Sequence, residues 1–222
     1  RYNLYDSTHD RTCQLFGKTF GDSQGQTLYE RLQYFWDRSF ADQEAMTIAQ
    51  PLGYSAAINT VWQRGVPGTP LLHVLNTNNY RPYIAAVAKG LASLHTSDIG
   101  DLAAHSPENH LVETHKKLSK LSDAIPRLSE TCGGVADEVE QTAPHSSTIP
   151  FCPIHWDFHV DQLLADNGTI IFCDLDELVI GDPLQDLANF VVDLQFRHVD
   201  QDFVRLITGE LCHQYQSLVD WP

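Results

Sequence analysis

The sequence predicts an α+β fold in two lobes, a short N-terminal lobe of strand and helix and a mostly helical C-terminal lobe, and three observations carry that expectation. An alternating stretch over residues 11–20 is followed by helical spacing of Leu28, Leu32, Phe35 and Trp36, which reads as strand then helix. Gln63-Arg64-Gly65-Val66-Pro67-Gly68 is dense in Gly and Pro and marks a hinge. Beyond it, strong helical periods run through Ile84, Val87, Leu91 and Leu94 and through Leu111, Leu118, Leu121, Ile125 and Leu128. The lobes are therefore placed at residues 1–60 and 69–222, with 61–68 as the hinge.

Each element follows in order. Lys18 sits late in the first strand, and Gly21-Asp22-Ser23 turns the chain into a helix from about Thr27 to Phe40 that carries Glu30. Residues 131–149 are rich in Gly, Ser, Thr, Pro and acidic groups and read as mostly loop, with a short helix around Val135 to Glu140. Asn167-Gly168 between two apolar runs is a hairpin signal. A turn centred there puts Gln162 opposite Cys173, next to Asp174, so that two oxygen-bearing side chains meet at one mouth. Gly181-Asp182-Pro183 turns into a helix bearing Leu184, Leu187, Phe190 and Val191, and a last helix spans about Asp202 to Leu218.

Charge and composition exclude several classes of function. Fourteen Lys and Arg stand against 29 Asp and Glu, a net charge of -15 that repels nucleic acid. No apolar run approaches the ~20 residues that span a bilayer, so a soluble protein without a membrane partner is expected. Residues 151–222 hold 2 basic and 13 acidic side chains, a cluster suited to metal ions or a cationic substrate and equally to a solubilising surface. Five scattered cysteines without a C-x-x-C pair argue against a disulfide framework or zinc cluster and for a reducing cytoplasm. The first residues, Arg1-Tyr2-Asn3-Leu4-Tyr5, carry neither an initiator Met nor a secretory pattern, which leaves room for residues upstream.

The chemistry concentrates between His155 and Asp186. Moving a phosphoryl group needs a divalent metal on hard oxygens, a carboxylate to orient the attacking hydroxyl and a cation on the nucleotide phosphates. Gln162 and Asp174 supply oxygens at the hairpin mouth, Asp157 lies five residues before Gln162, and Lys18 with Glu30 supplies a cation and its orienting partner. Singly, Asp157 and Asp174 are ordinary turn residues. An H-x-D, a downstream amide, a hairpin, an Asp-x-Asp and a G-D-P in this order are not expected by chance.

That order resembles the aminoglycoside phosphotransferase and choline kinase-like family, within the protein kinase-like superfamily. His155-Trp156-Asp157 through Gln162 is similar to its catalytic loop, Cys173-Asp174-Leu175-Asp176 to its metal-binding segment, and Gly181-Asp182-Pro183 through Asp186-Leu187-Ala188 to the signature that follows. The resemblance implies a protein kinase-like two-lobe fold and ATP-dependent phosphorylation of a small-molecule hydroxyl on an aminoglycoside, amino alcohol or sugar. It implies Asp157 as catalytic base, Gln162 and Asp174 on Mg2+, Lys18 on the ATP phosphates, and Trp62 and Gln63 at the adenine hinge. His155, Asp176 and Asp186 take supporting places. The sequence departs from the family in Trp156, where a small residue is usual, in Gln162, where Asn is usual, and in the ten residues before the Lys18 strand, too few for a phosphate-covering hairpin, which lies upstream or is lost. Two other readings stay open: a nucleotide-binding pseudokinase, and a metal-dependent hydrolase using His155 and His159, four residues apart.

Overall fold

In the computed structural model, residues 1–8, 10–22, 24–40, 46–143, 149–197 and 199–221 are described, with backbone alone at 6, 11, 39, 40 and 107. Strand β1 (Tyr2–Asp6) pairs antiparallel with the first half of β2 (Arg11–Thr19). Helix α1 (Gln24–Phe35) follows, ending in a wide π-type turn at Trp36–Phe40. Then come β3 (Met46–Ile48), β4 (Pro51–Ser55) and β5 (Thr60–Arg64). The small lobe is the four-stranded sheet β1-β2-β5-β4 with α1 against it. Its last strand runs to Arg64, so the connection to the large lobe is the Gly- and Pro-containing stretch 65–68.

The large lobe opens with β6 (Thr69–Pro70), a single turn α2 (Leu71–Val74) and α3 (Tyr80–His95). Helix α3 buries Ile84, Val87, Leu91 and Leu94 and packs on β9 through Gly90, where a Cβ would run into the Phe172 ring. Helices α4 (Pro107–Ala124) and α5 (Ser129–Thr142) form a hairpin of helices. Ser106 and Asn109 exchange backbone and side-chain hydrogen bonds in a capping box that fixes where α4 starts. The expected loop over 131–149 is thus corrected: residues 129–142 are one helix. Gly133 and Gly134 cost about 1 kcal/mol each in a helix interior, but packing against α4, with Cys132 buried, outweighs that local preference. The part at 144–148 lies outside the described residues.

Strands β7 (Cys152–Ile154), β8 (Leu163–Asp166), β9 (Thr169–Phe172) and β10 (Val179–Gly181) precede α6 (Leu184–Phe196) and α7 (Gln201–Gln216). The β8–β9 hairpin turns at Asn167 (φ 48°) and Gly168 (φ 91°), both left-handed as the Asn-Gly pair predicts. Its register sets Leu163 opposite Phe172, and Cys173 N–H donates to Gln162 O at 2.8 Å, so the expected pairing of Gln162 with Cys173 holds. The sequence reading did not identify β3, which runs parallel to β9 and joins the small lobe to the hairpin that carries Asp174. No helix among the described residues is long and apolar enough to cross a membrane.

Candidate active site

Strand β7 delivers His155 to the head of the loop 155–162, and a buried carboxylate fixes that loop. Asp186, fully buried in the first turn of α6, accepts from His155 N–H at 2.6 Å and from Trp156 N–H at 2.9 Å. Its Oδ2 also lies 3.1 Å from His95 Nε2, and His95 Nδ1 is 2.6 Å from the Tyr215 hydroxyl. With the ring proton on Nε2, His95 accepts from Tyr215 and donates to Asp186, so every polar atom of this dry network is used. Burial, with Cys152 and Asp186 nearby, pushes the Tyr215 phenol well above its usual range, so it stays a donor. His155 itself is buried, its Nε2 3.0 Å from Cys173 O, which ties the loop to the end of β9. Behind them the Phe158 ring stacks on Phe172 and lies tilted against Phe190, each at 5.6 Å between centroids.

Trp156 takes φ 74°, a conformation that costs a bulky residue about 1–3 kcal/mol and is held in place by its surroundings. Besides Asp186, Asn189 Nδ2 donates to Trp156 O at 2.8 Å. The next residue, Asp157, is more than half exposed and lines a cavity of about 490 Å3 with His159, Lys117, Glu177, Asp193 and Arg197 among its walls. Its Oδ2 is 3.6 Å from His159 Nε2, which in turn is 3.2 Å from Gln162 Nε2. Val160 N–H is held by Asp193, and Arg197 bridges Asp193 and Asp161.

On the other side of the loop, Lys18 reaches from β2 to the large lobe, donating to Asp174 Oδ1 at 2.7 Å and pairing with Asp176. Burial works against the Lys18 charge, but its bonds to the two carboxylates more than offset this and hold its pKa above the usual value. Asp174 is likewise disfavoured by burial yet held below the usual carboxylate range by Lys18, whereas burial and the neighbouring Asp174 push Asp176 up. A small cavity of about 50 Å3 at this pair is walled by Leu32, Ile48, Gln63 and Phe172.

Two expectations are corrected here. Glu30 does not orient Lys18: it is exposed and accepts from Gln26 Nε2 at 2.9 Å. Helix α1 turns Leu28, Leu32 and Phe35 onto the sheet, and a residue two positions from Leu28 falls on the opposite face. Trp62 does not line the cleft. It lies opposite Gly17 on the sheet's other face, where its ring packs on Tyr2 at 5.3 Å and its Nε1 donates to Ser55 Oγ. Gln63, one residue on and pointing the other way, does line the Lys18 cavity, its Nε2 donating to Ala49 O at 3.3 Å. Of the cysteines, Cys132 and Cys152 are buried, while Cys212 is exposed.

The arrangement also bears on metals. Among the described residues no three His, Cys, Asp or Glu gather closely enough to hold an ion by themselves. His155 is buried with its Nε2 on Cys173 O, whereas His159 Nε2 faces Asp157 and Gln162. The pair that does gather a cation is Asp174 with Asp176, where the Lys18 ammonium sits; Gln162 is joined to the adjoining Cys173 through its backbone, and its side-chain amide lies against His159. Two carboxylates and an amide oxygen suit Mg2+, which takes one or two carboxylates and completes its shell with water and phosphate.

Sequence reasoning missed His95 and Tyr215. Both sit among apolar helical positions, and nothing local distinguishes such a residue from core filling. His105, in the loop before α4, and His110, in its first turns, meet the Trp156 ring at 3.9 and 5.8 Å between centroids and were also missed, since that contact forms only when α4 packs beside the 155–162 loop.

Comparison with known proteins agrees with this geometry. A family model described as the phosphotransferase enzyme family matches residues 30–222. No curated protein matches the sequence. Among solved structures, a streptomycin-ATP-APH(2")-IIa ternary complex aligns with TM-score 0.65 and 16% identity over 97% of this chain and 79% of that one. An aminoglycoside-3'-phosphotransferase of type VIII aligns with TM-score 0.63 and 18% identity over 100% and 82%. A choline/ethanolamine kinase family protein from Mesorhizobium loti aligns with TM-score 0.58 and 15% identity over 93% and 65%. The two-lobe, protein kinase-like fold expected from the sequence is the fold of this chain.

Proposed function

Because the chain belongs to the phosphotransferase enzyme family, we propose that it transfers the γ-phosphoryl group of ATP to a hydroxyl of a small molecule. The observation that carries this reading is the placement of Asp157 and Asp174 on either side of one loop, the first open to a cavity of about 490 Å3 and the second held by a lysine from the opposite lobe. The acceptor hydroxyl lies in the Asp157 cavity and gives its proton to that carboxylate as its oxygen bonds to the γ-phosphorus. The bond from that phosphorus to the β,γ-bridging oxygen breaks, and ADP leaves. Lys18 turns from its carboxylates to the nucleotide phosphates, and Gln63 lies beside it. Asp174, Asp176 and Gln162 would hold Mg2+, which when bound neutralises phosphate charge. Asp186 acts at one remove: it positions the Trp156 amide, and with it the carboxylate that follows.

The nucleotide-complexed neighbour supports ATP as the donor without naming the acceptor. The test is ATP consumption with Mg2+ across aminoglycosides, amino alcohols and sugars, for the wild type and for Asp157→Ala and Asp174→Ala. Acceptor-dependent turnover lost in both variants supports the proposal. ATP binding without turnover for any acceptor would mark a pseudokinase, and absence of ATP binding would sink the phosphotransferase reading.

A further inference from the structure

Asp157 lies in only one of two adjoining cavities. The second, of about 520 Å3, shares His110, Trp156, Gln185 and Asn189 with the first, so Trp156 and His110 stand at the doorway between them. Its walls come from α4, α5 and α6 and are largely apolar: Leu111, Val139, Ala143, Leu184 and Ala188 besides Trp156. Leu184 is 48% exposed there, a large apolar side chain left uncovered inside a concavity of the size that takes a small molecule.

The polar content of this second cavity is equally specific. Asp182 is its one carboxylate among the described residues, and that carboxylate already accepts from Leu184 N–H at 2.9 Å in the turn before α6. A polycation desolvated here would find no set of carboxylates to pair with. His105 and His110 line the cavity against Trp156, their rings 6.3 Å apart. His105 Nε2 and His110 Nδ1 are buried without a hydrogen-bond partner among the described residues, Glu113 standing 3.6 Å from the former, beyond hydrogen-bond reach. Burial, then His105 and Lys117, push the His110 imidazole below its usual range, which favours a neutral His110 ring beside the indole of Trp156.

We infer that the acceptor is an uncharged alcohol bearing an aromatic or flat apolar group. Its hydroxyl lies at Asp157, while its planar body passes Trp156 into the α4–α6 cavity and offers polar atoms to His105 and His110. The inference rests on the phosphotransferase reading only for the placement of the hydroxyl. It turns away from the polycationic acceptor that the acidic C-terminal third suggests, because Asp174 and Asp176 are on Lys18 and Asp161 and Asp193 on Arg197, and in the first cavity Lys117 and Arg197 stand against Asp157, Glu177 and Asp193.

The test is direct binding to the intact protein, by saturation-transfer NMR and calorimetry, of 2-phenylethanol, indole-3-ethanol and phenyl β-glucoside against choline, kanamycin and methyl β-glucoside. At least one aromatic probe is expected to saturate a single site and to bind more tightly than every non-aromatic one. Trp156→Ala is expected to weaken it about tenfold, the scale of one lost aromatic contact. Ala188→Glu, at an exposed position of α6, changes the cavity's polarity without touching the Asp186 network and is expected to weaken it as well. Failure of all three aromatic probes, tighter binding of kanamycin, or unchanged affinity in a folded Ala188→Glu variant would overturn the inference. Aromatic binding in a protein that never consumes ATP would leave the cavity assignment standing and remove the phosphotransferase reading instead.

Discussion

Replacing Asp186 by Asn tests whether one buried carboxylate positions the 155–162 loop. Asp186 accepts three hydrogen bonds, from His155 N–H, Trp156 N–H and His95, and no solvent reaches it. An amide offers one oxygen. Set at the Oδ2 position it keeps His155 N–H and His95, but its NH2 then faces the Trp156 N–H, donor against donor. One buried amide left unpaired costs about 1–3 kcal/mol, and the two remaining bonds lose their charge assistance, which roughly doubles a hydrogen bond's strength. The expected loss is therefore about 2–4 kcal/mol, out of the 5–15 kcal/mol typical of a folded chain. At roughly 2–4 °C per kcal/mol for a chain of this size, thermal melting followed by circular dichroism should fall by about 4–16 °C. Below the melting range kcat should drop with little change in the ATP Kd, because Lys18 and Asp174 are held by other contacts. A double-mutant cycle with Tyr215→Phe, which cuts the 2.6 Å bond on the far side of His95, should show coupling of at least about 0.5 kcal/mol. An unchanged melting temperature in Asp186→Asn, or strict additivity with Tyr215→Phe, would refute the network as the loop's anchor.

Other perturbations separate the site from its scaffold. Asp157→Asn should lower kcat by about 10²–10⁴-fold, the usual range for a general base, with ATP affinity measured by calorimetry unchanged. Trp62→Ala should leave ATP affinity within about twofold while destabilising the small lobe, because the ring packs on Tyr2 and Gly17 away from the cleft; a large loss of nucleotide binding would contradict that placement. Gly90→Ala should cost about 1–3 kcal/mol by overpacking, read in chemical denaturation, since the added methyl meets Phe172. His110 is held below its usual value of 6.5, so the folded state binds its proton less readily than the unfolded chain does. Its stabilising contribution is complete above 6.5 and is lost as pH falls below that value, and His110→Gln should make the decline in melting temperature from pH 7 to 5 shallower.

Features encoded within a few residues were legible. Asn167-Gly168 dictates a left-handed turn wherever it stands between strands, and the two-residue turn then sets Gln162 against Cys173 whatever surrounds it. The periods of α3, α4 and α7 likewise follow from their own spacing. The order from His155 through Asp174 to Asp186 was readable because those groups lie within 32 residues of sequence. What tertiary structure alone decided is which groups meet from afar. Glu30 faces solvent because the sheet claims the Leu28 face of α1, and Trp62 turns outward because β5 alternates about Val61. Helix α5 forms over two glycines because α4 lies against it. Asp186 finds His95 and Tyr215, 91 and 29 residues away, only when α3, α6 and α7 pack together. A residue's propensity and periodicity are set by its immediate neighbours. Its partners are set by the packing of whole elements, and a histidine in an apolar period carries no mark of the carboxylate it will meet.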